Sequence, residues 1–301
     1  MTGAGRILIG TSSWTDPTLV KDGHFYPPDA KSAENRLRFY ATQFPMVEVD
    51  ASYYAIPAPA TAQLWAERTP PDFTFNVKAF RLFTGHQTDP KVLEKDLREA
   101  LPPSRKKMLY YRDVPPDILD ELWRRFRLAL EPLAVNGKLT AVHFQFAPWV
   151  INDRDGRAHL VECVDRMAGH QLTVEFRNQV WFEGANQTRT LELQRELGVV
   201  HTIVDSPEGF QNSVPMVWDI SSTKLALVRL HGRNKATWNI KGATSASDRF
   251  NYDYTEDQLA GLVPQLQALE RRVDMLQVVF NNNYEDQGQR NGRTLIRLLG
   301  G

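Results

Sequence analysis

The chain has 301 residues, 42% of them hydrophobic, and its 36 basic side chains equal its 36 acidic ones. That length suits one barrel-sized domain, and the charge balance excludes a global field holding the chain on nucleic acid or an anionic membrane, leaving only a local basic groove open. The single cysteine, Cys163, excludes an internal disulfide and any CxxC metal motif.

No stretch approaches the roughly 18 apolar residues of a membrane span, and MTGAGRILIG lacks a signal-peptide core. A soluble, cytoplasmic protein is expected. In chain order, RILIGTS (6–12) predicts a first strand. DAKSAENRLRFYATQF then puts Leu37, Tyr40, Ala41 and Phe44 on one helical face behind caps at Asp29 or Ser32. MVEVD (46–50) and FTFNVK (73–78) are the next strands. The stretch from Arg81 to Lys138 is far longer than a crossover needs and reads as an insertion of two or three helices, including PPDILDELWRRFRLAL.

TAVHFQF (140–146) follows as a strand, then a helix with Leu160, Val161, Val164, Met167 and Ala168 on one face, closed by Gly169 and burying Cys163. LTVEFR (172–177) and VHTIVD (200–205) are strands, and SPEGFQNSVPMVWDISSTK after them shows no clear helix. LALVRLHG (225–232) precedes TEDQLAGLVPQLQALERR, which opens with a Thr255–Gln258 capping box and should kink at Pro264. MLQVVFNN (275–282) is the last strand.

Strands alternating with helices imply βαβ units and a parallel sheet. Eight units without a dinucleotide glycine fingerprint favour an α/β fold of the single-domain (β/α)8 TIM-barrel type over residues 1–301, with the helical insertion after the third strand. In such a barrel the helix-facing positions are apolar: Ile7, Ile9, Val47, Val49, Phe75, Val77, Val142, Phe144, Val174, Phe176, Val228, Leu230, Val278 and Phe280. The opposite positions are polar toward the strand ends: Ser12, Glu48, Asp50, Asn76, Lys78, His143, Gln145, Glu175, Arg177, Asp205, Arg229, His231 and Asn281. Inward residues near the strand starts, such as Leu8 and Leu227, are apolar. Barrel active sites sit at the C-terminal mouth, where this polar set gathers.

The mouth can be read chemically. Lys78, Arg177 and Arg229 would hold a phosphate or carboxylate; Glu175 or Glu48 would serve as general base, His231 as acid or proton shuttle, and Asp205 as a further carboxylate. The competing reading is a structural ion-pair network filling the barrel. Glu175, Asp205 and His231 could instead converge on a divalent metal, although Arg177 and Arg229 on the same strands would repel it. Trp14, Phe25, Tyr26, Tyr53, Tyr54, Trp149, Trp181 and Trp238 lie near strand ends as stacking platforms or loop packing. Asn281 and Asn282 suit hydroxyl or nucleobase recognition, and Gly288 and Gly292 near a helix start would let backbone NH groups approach a phosphate. No GxSxG or Walker loop occurs.

These residues also carry a resemblance. GTSSWTDPTLVKDGHFYP, VEVDASYYAIP with Trp65, FNVK, HFQFAP, VEFRNQVWF, VRLHG, RFNYDYTEDQL and FNNNYEDQGQRNGRTL resemble, in order from about Ile9 to Leu299, the motifs of the family catalogued as domain of unknown function 72. The resemblance implies a TIM-type barrel and brings no agreed activity. It highlights Ser12, Trp14, Phe25, Tyr26, Glu48, Tyr54, Lys78, His86, Gln145, Glu175, Arg177, Trp181, Asp205, Arg229, His231, Gly232, Asn281 and Asn282. Two departures stand out: Asp50 where that family usually has Asn, and Ser13 where Gly is usual.

The resulting expectation is an enzyme using acid–base chemistry on a small hydroxylated or phosphorylated substrate at the barrel mouth. Its substrate-binding side chains would be Ser12, Trp14, Tyr54, Lys78, Gln145, Arg177, Trp181, Arg229, Asn281 and Asn282. One alternative is a metal-assisted phosphodiester hydrolase or nucleic-acid-binding barrel like those of apurinic endonucleases and sugar isomerases. Another is a barrel that binds a ligand without turning it over.

Overall fold

A computed structural model describes residues 6–22, 24–242 and 246–300. Strands β1 (Arg6–Ser12), β2 (Met46–Val49), β3 (Thr74–Lys78), β4 (Leu139–Gln145), β5 (Leu172–Glu175), β6 (Val200–Asp205), β7 (Leu225–Leu230) and β8 (Met275–Phe280) close in sequence order. Every neighbouring pair is parallel, including β8 with β1. The strands run four to seven residues, and Arg177, His231 and Asn281 lie just beyond their ends.

The helices are α1 (Pro17–Asp22), α2 (Ala33–Gln43), α3 (Ala51–Tyr54), α4 (Pro59–Glu67), α5 (Lys95–Ala100), α6 (Pro116–Val135), α7 (Arg154–Arg166), α8 (Asn186–Glu196), α9 (Glu256–Glu270) and α10 (Gln287–Leu298). Ser32, not Asp29, caps α2 by accepting the Asn35 amide at 3.0 Å. The capping box at α9 forms in both directions, Gln258 Oε1 accepting from the Thr255 amide and Thr255 Oγ1 from the Gln258 amide. On α7, Leu160 and Met167 are buried but Val161 faces solvent.

The 20-residue α6 buries Ile118, Leu122, Trp123 and Phe126 and carries the chain back to β4, so it is the crossover helix itself. The extra material after β3 is thus residues 79–115, with α5 and two short 3-10 turns. No helix forms between β6 and β7, as the sequence led one to expect.

Side chains alternate across each strand, and parallel register partners share a face. Outward positions such as Val47, Phe75, Val142 and Val174 pack under the helices. Inside, the barrel is tiered. Leu8, Met46, Ala141, Val200, Leu225, Leu227 and Val279 form a buried apolar cluster within it. Among them Asn76 Nδ2 donates to Gln277 Oε1 at 2.8 Å, and toward the strands' C-terminal ends the charged residues meet. Among the described residues, no helix is long and apolar enough to cross a membrane.

Candidate functional site

The charged tier centres on Arg229 of β7. Its Nη1 donates to Glu175 Oε2 at 2.5 Å and its Nη2 to Glu48 Oε1 at 2.6 Å and Asn281 Oδ1 at 3.0 Å. All four side chains are buried. Ser12 Oγ donates to the same Glu48 oxygen at 3.0 Å. Glu175 Oε1 accepts from His231 Nε2 at 3.0 Å, from Gln145 Nε2 at 2.7 Å and from Arg177 Nη1 at 3.2 Å. Glu175 thus ties β4, β5 and β7 together through charge-assisted hydrogen bonds.

Burial works to raise the Glu175 carboxyl, but neighbouring positive charge outweighs it and holds the group well below its usual range. Burial pushes His231 down to about 4 despite that carboxylate, with Arg229 and Arg177 adding to the effect. The imidazole is therefore neutral at neutral pH, and the depression of Glu175 belongs to Arg229 and the hydrogen bonds it accepts. Glu48 is likewise lowered: burial opposes, and Arg229 prevails. His143 is buried beside them, its Nδ1 2.8 Å from Thr173 Oγ1, and burial lowers it too.

A cavity of about 640 Å³ opens above this tier. Its floor is Asp50, Lys78, Gln145 and Asn281, and its walls include Tyr53, Tyr54, Arg249 and Phe250. Lys78 Nζ lies 2.7 Å from Asp50 Oδ1 and 3.4 Å from Gln145 Oε1. Tyr54 and Ile240 expose 42% and 43% of their surfaces at its edge. The segment after β7 folds across the mouth: Phe250 stacks on His231 at 5.6 Å and Trp238 packs edge-on at 6.1 Å. Their rings are what hide His231 from solvent.

Ser13, also on the cavity wall, has φ +71, the left-handed backbone that glycine adopts without strain. This explains why Gly is usual there in the resembled pattern.

The structure therefore brings Ser12, Glu48, Gln145, Glu175, Arg177, Arg229, His231 and Asn281 together, with Lys78 above them. It corrects four other expectations. Asp205 does not face the interior: it pairs in register with the helix-facing Leu230, and its carboxylate binds Arg233 at 2.9 Å and Tyr254 Oη at 2.8 Å. Asn282 also points outward, donating to Tyr252 O and Asn291 Oδ1. Trp14 packs edge-on against Trp65 in the core, and Trp181 stacks on Phe176 at 3.8 Å while donating to Val150 O. Both tryptophans hold loops in place outside the cavity.

With Asp205 turned away, Glu175, Asp205 and His231 do not converge, and no group of three His, Cys, Asp or Glu side chains among the described residues has metal-holding geometry. Gly292 serves packing, since a Cβ there would lie 2.9 Å from the Phe44 ring. Sequence reasoning did not single out Arg249 and Phe250, although they open RFNYDYTEDQL, one of the motifs that carry the resemblance.

Comparison with known proteins fits this architecture. The chain is 31% identical over 295 residues to the UPF0759 protein YunF of Bacillus subtilis (strain 168), covering 97% of this chain and 94% of that one. A DUF72 family protein of Enterococcus faecalis V583 superposes with a TM-score of 0.79 at 23% identity, over 98% of this chain and 96% of that one. A DUF72 family protein of Thermotoga maritima MSB8 does so with a TM-score of 0.76 at 26% identity, over 98% and 100%. The family model described as "Protein of unknown function DUF72" matches residues 8–301, and the chain belongs to that family.

Proposed function

We propose that this protein is an enzyme performing acid–base chemistry on a small hydroxylated or anionic compound in the mouth cavity. One observation carries the reading: the Lys78 ammonium and Asp50 carboxylate, 2.7 Å apart, both line a cavity large enough for such a compound. A carboxylate beside an ammonium can accept a proton from a substrate hydroxyl while the ammonium stabilises the resulting oxyanion. Gln145 and Asn281 supply amides to substrate hydroxyls, and Tyr54 and Ile240 supply apolar surface.

Glu175, Glu48, Arg229 and His231 act one step below. They are buried and absent from the cavity lining, and they orient the groups that reach it. Asn281 and Gln145 are hydrogen-bonded to members of this set on one side and face the cavity on the other. We assign these four as positioning residues.

The test is turnover across a panel of sugars, polyols, hydroxy acids and their phosphate esters, followed by NMR. A converted compound should lose at least about 100-fold in kcat with Asp50→Asn or Lys78→Met. Undiminished conversion by both variants would sink the proposal.

A further inference from the structure

Six buried side-chain atoms inside the barrel have no hydrogen-bond partner among the described residues: Glu48 Oε2, Asn76 Oδ1, His143 Nε2, Thr202 Oγ1, Arg229 Nε and Gln277 Nε2. Their residues are at most 2% exposed, and none of them lines the mouth cavity. They come from β2, β3, β4, β6, β7 and β8, yet contacts tie them to one place. Asn76 pairs in register with Glu48 and donates across the barrel to Gln277. Arg229 grips Glu48 and Glu175, and His143 Nε2 stands 3.5 Å from Glu175 Oε2, which is long for a hydrogen bond. Thr202 and Gln277 flank Leu227 in register from its two sides.

Buried polar atoms are seldom left unpaired, because each then bears the whole cost of its desolvation. Six of them converging from six strands mark a site, and their chemistry selects what fills it. Glu48 Oε2 and Asn76 Oδ1 only accept hydrogen bonds, Arg229 Nε and Gln277 Nε2 only donate them, and the Thr202 hydroxyl does both. Turning over both amides exchanges roles within that pair and still leaves one donor and one acceptor free. A cation here would meet Arg229, and an anion would meet Glu48, with both side chains buried. A ligand of a few atoms that gives and takes hydrogen bonds and carries no charge is required.

We propose that the barrel encloses a cluster of bound water molecules beside the Glu48–Arg229–Glu175 tier, about two or three of them at roughly three hydrogen bonds each. The small inward side chains of Ala141, beside Asn76, and Thr173, beside His143, keep the space they occupy. The waters solvate the edges of Glu48 and Arg229 that protein groups leave bare, so the tier stays ionised through water as well as through its own pairs. This goes beyond the proposed function and does not depend on it, because the cluster lies apart from the cavity lining.

The test is a high-resolution crystal structure of the full chain together with the melting temperature of Thr202→Val. Ordered water should lie within about 3.2 Å of Glu48 Oε2, of Arg229 Nε and of a third atom of the set. Thr202→Val keeps the side-chain shape and deletes one hydroxyl. If water holds that hydroxyl, the variant should melt about 2–4 °C lower than the parent.

A barrel centre closed by protein atoms alone, or density there with the anomalous signal of an ion, overturns the inference. So does a Thr202→Val melting temperature equal to or above the parent's, since deleting a truly unpaired hydroxyl relieves a cost. Should Thr202→Val fail to fold, the parent's density decides by itself.

Discussion

Asn281 donates its amide to Nδ1 of His231 at 2.8 Å, and this fixes which imidazole nitrogen carries the proton. Nδ1 must accept, so Nε2 keeps its hydrogen and gives it to Glu175 Oε1. The neutral ring and the ionised carboxylate are thus one arrangement, and Asn281 carries it to the cavity floor.

Removing the negative charge at Glu175 leaves Arg229 buried against Glu48 alone. Glu175→Gln should cost about 3–5 kcal/mol of unfolding free energy, read from urea denaturation. Pairing it with Arg229→Met, which removes the orphaned cation, should recover part of that loss. A double variant less stable than either single one would contradict the pairing.

Stability should fall in mild acid. His231 and His201, both pushed to about 4 by burial, stay neutral in the folded state, whereas the unfolded chain protonates them near 6.5. A group whose folded value is depressed loses its contribution as pH falls from the unfolded value to the folded one. Each should remove up to about 3 kcal/mol between pH 6.5 and 4. His231→Asn should flatten the melting temperature over that window; an unchanged slope would show that the ring is not buried neutral.

Asp205 provides a control at the same barrel end. Its partners are Arg233 and Tyr254, at the base of the segment that crosses the mouth. Asp205→Asn should lower stability by about 1–2 kcal/mol and leave ligand affinity within a few-fold of the parent. A loss of affinity matching that of the Lys78 or Asp50 variants would put Asp205 in the cavity after all.

Gly232, with φ +86, begins that crossing segment, and a Cβ there would lie 2.4 Å from Tyr252 Cβ. Gly232→Ala should therefore cost about 2 kcal/mol or more in melting experiments, from left-handed strain plus displacement of Tyr252. It should also unseat Phe250 from His231, which tryptophan fluorescence of the neighbouring Trp238 would report.

The barrel was legible because seven strands carry apolar residues under the helices and polar ones inside. The rule failed at β6, where Val200, Thr202 and Val204 face inward and His201 and Asp205 face out. The physical reason is that both outward polar side chains meet loop groups: Val217 O lies 3.3 Å from His201 Nε2, and Arg233 and Tyr254 bind Asp205. Outward positions need to be apolar only where apolar side chains pack on them.

The candidate site was legible as a set of side chains on neighbouring strands, but its depth was not. Strand parity places Glu175 and His231 inside; it gives no hint that Trp238 and Phe250 return to cover them. That contact spans a long loop and depends on Arg249 fitting beside Trp238. Trp14 and Trp181 misled for the opposite reason, since their positions near strand ends suit a rim equally well as a loop anchor.

The tiering inside the barrel separates endurance from recognition. Hydrocarbon side chains at the strand starts carry the cohesion, so exchanges there should move the melting point and spare what the cavity selects. The walls above hang from loops whose composition the barrel does not dictate. Changes in those loop side chains can therefore reshape the cavity while the ionic tier beneath stays as it is.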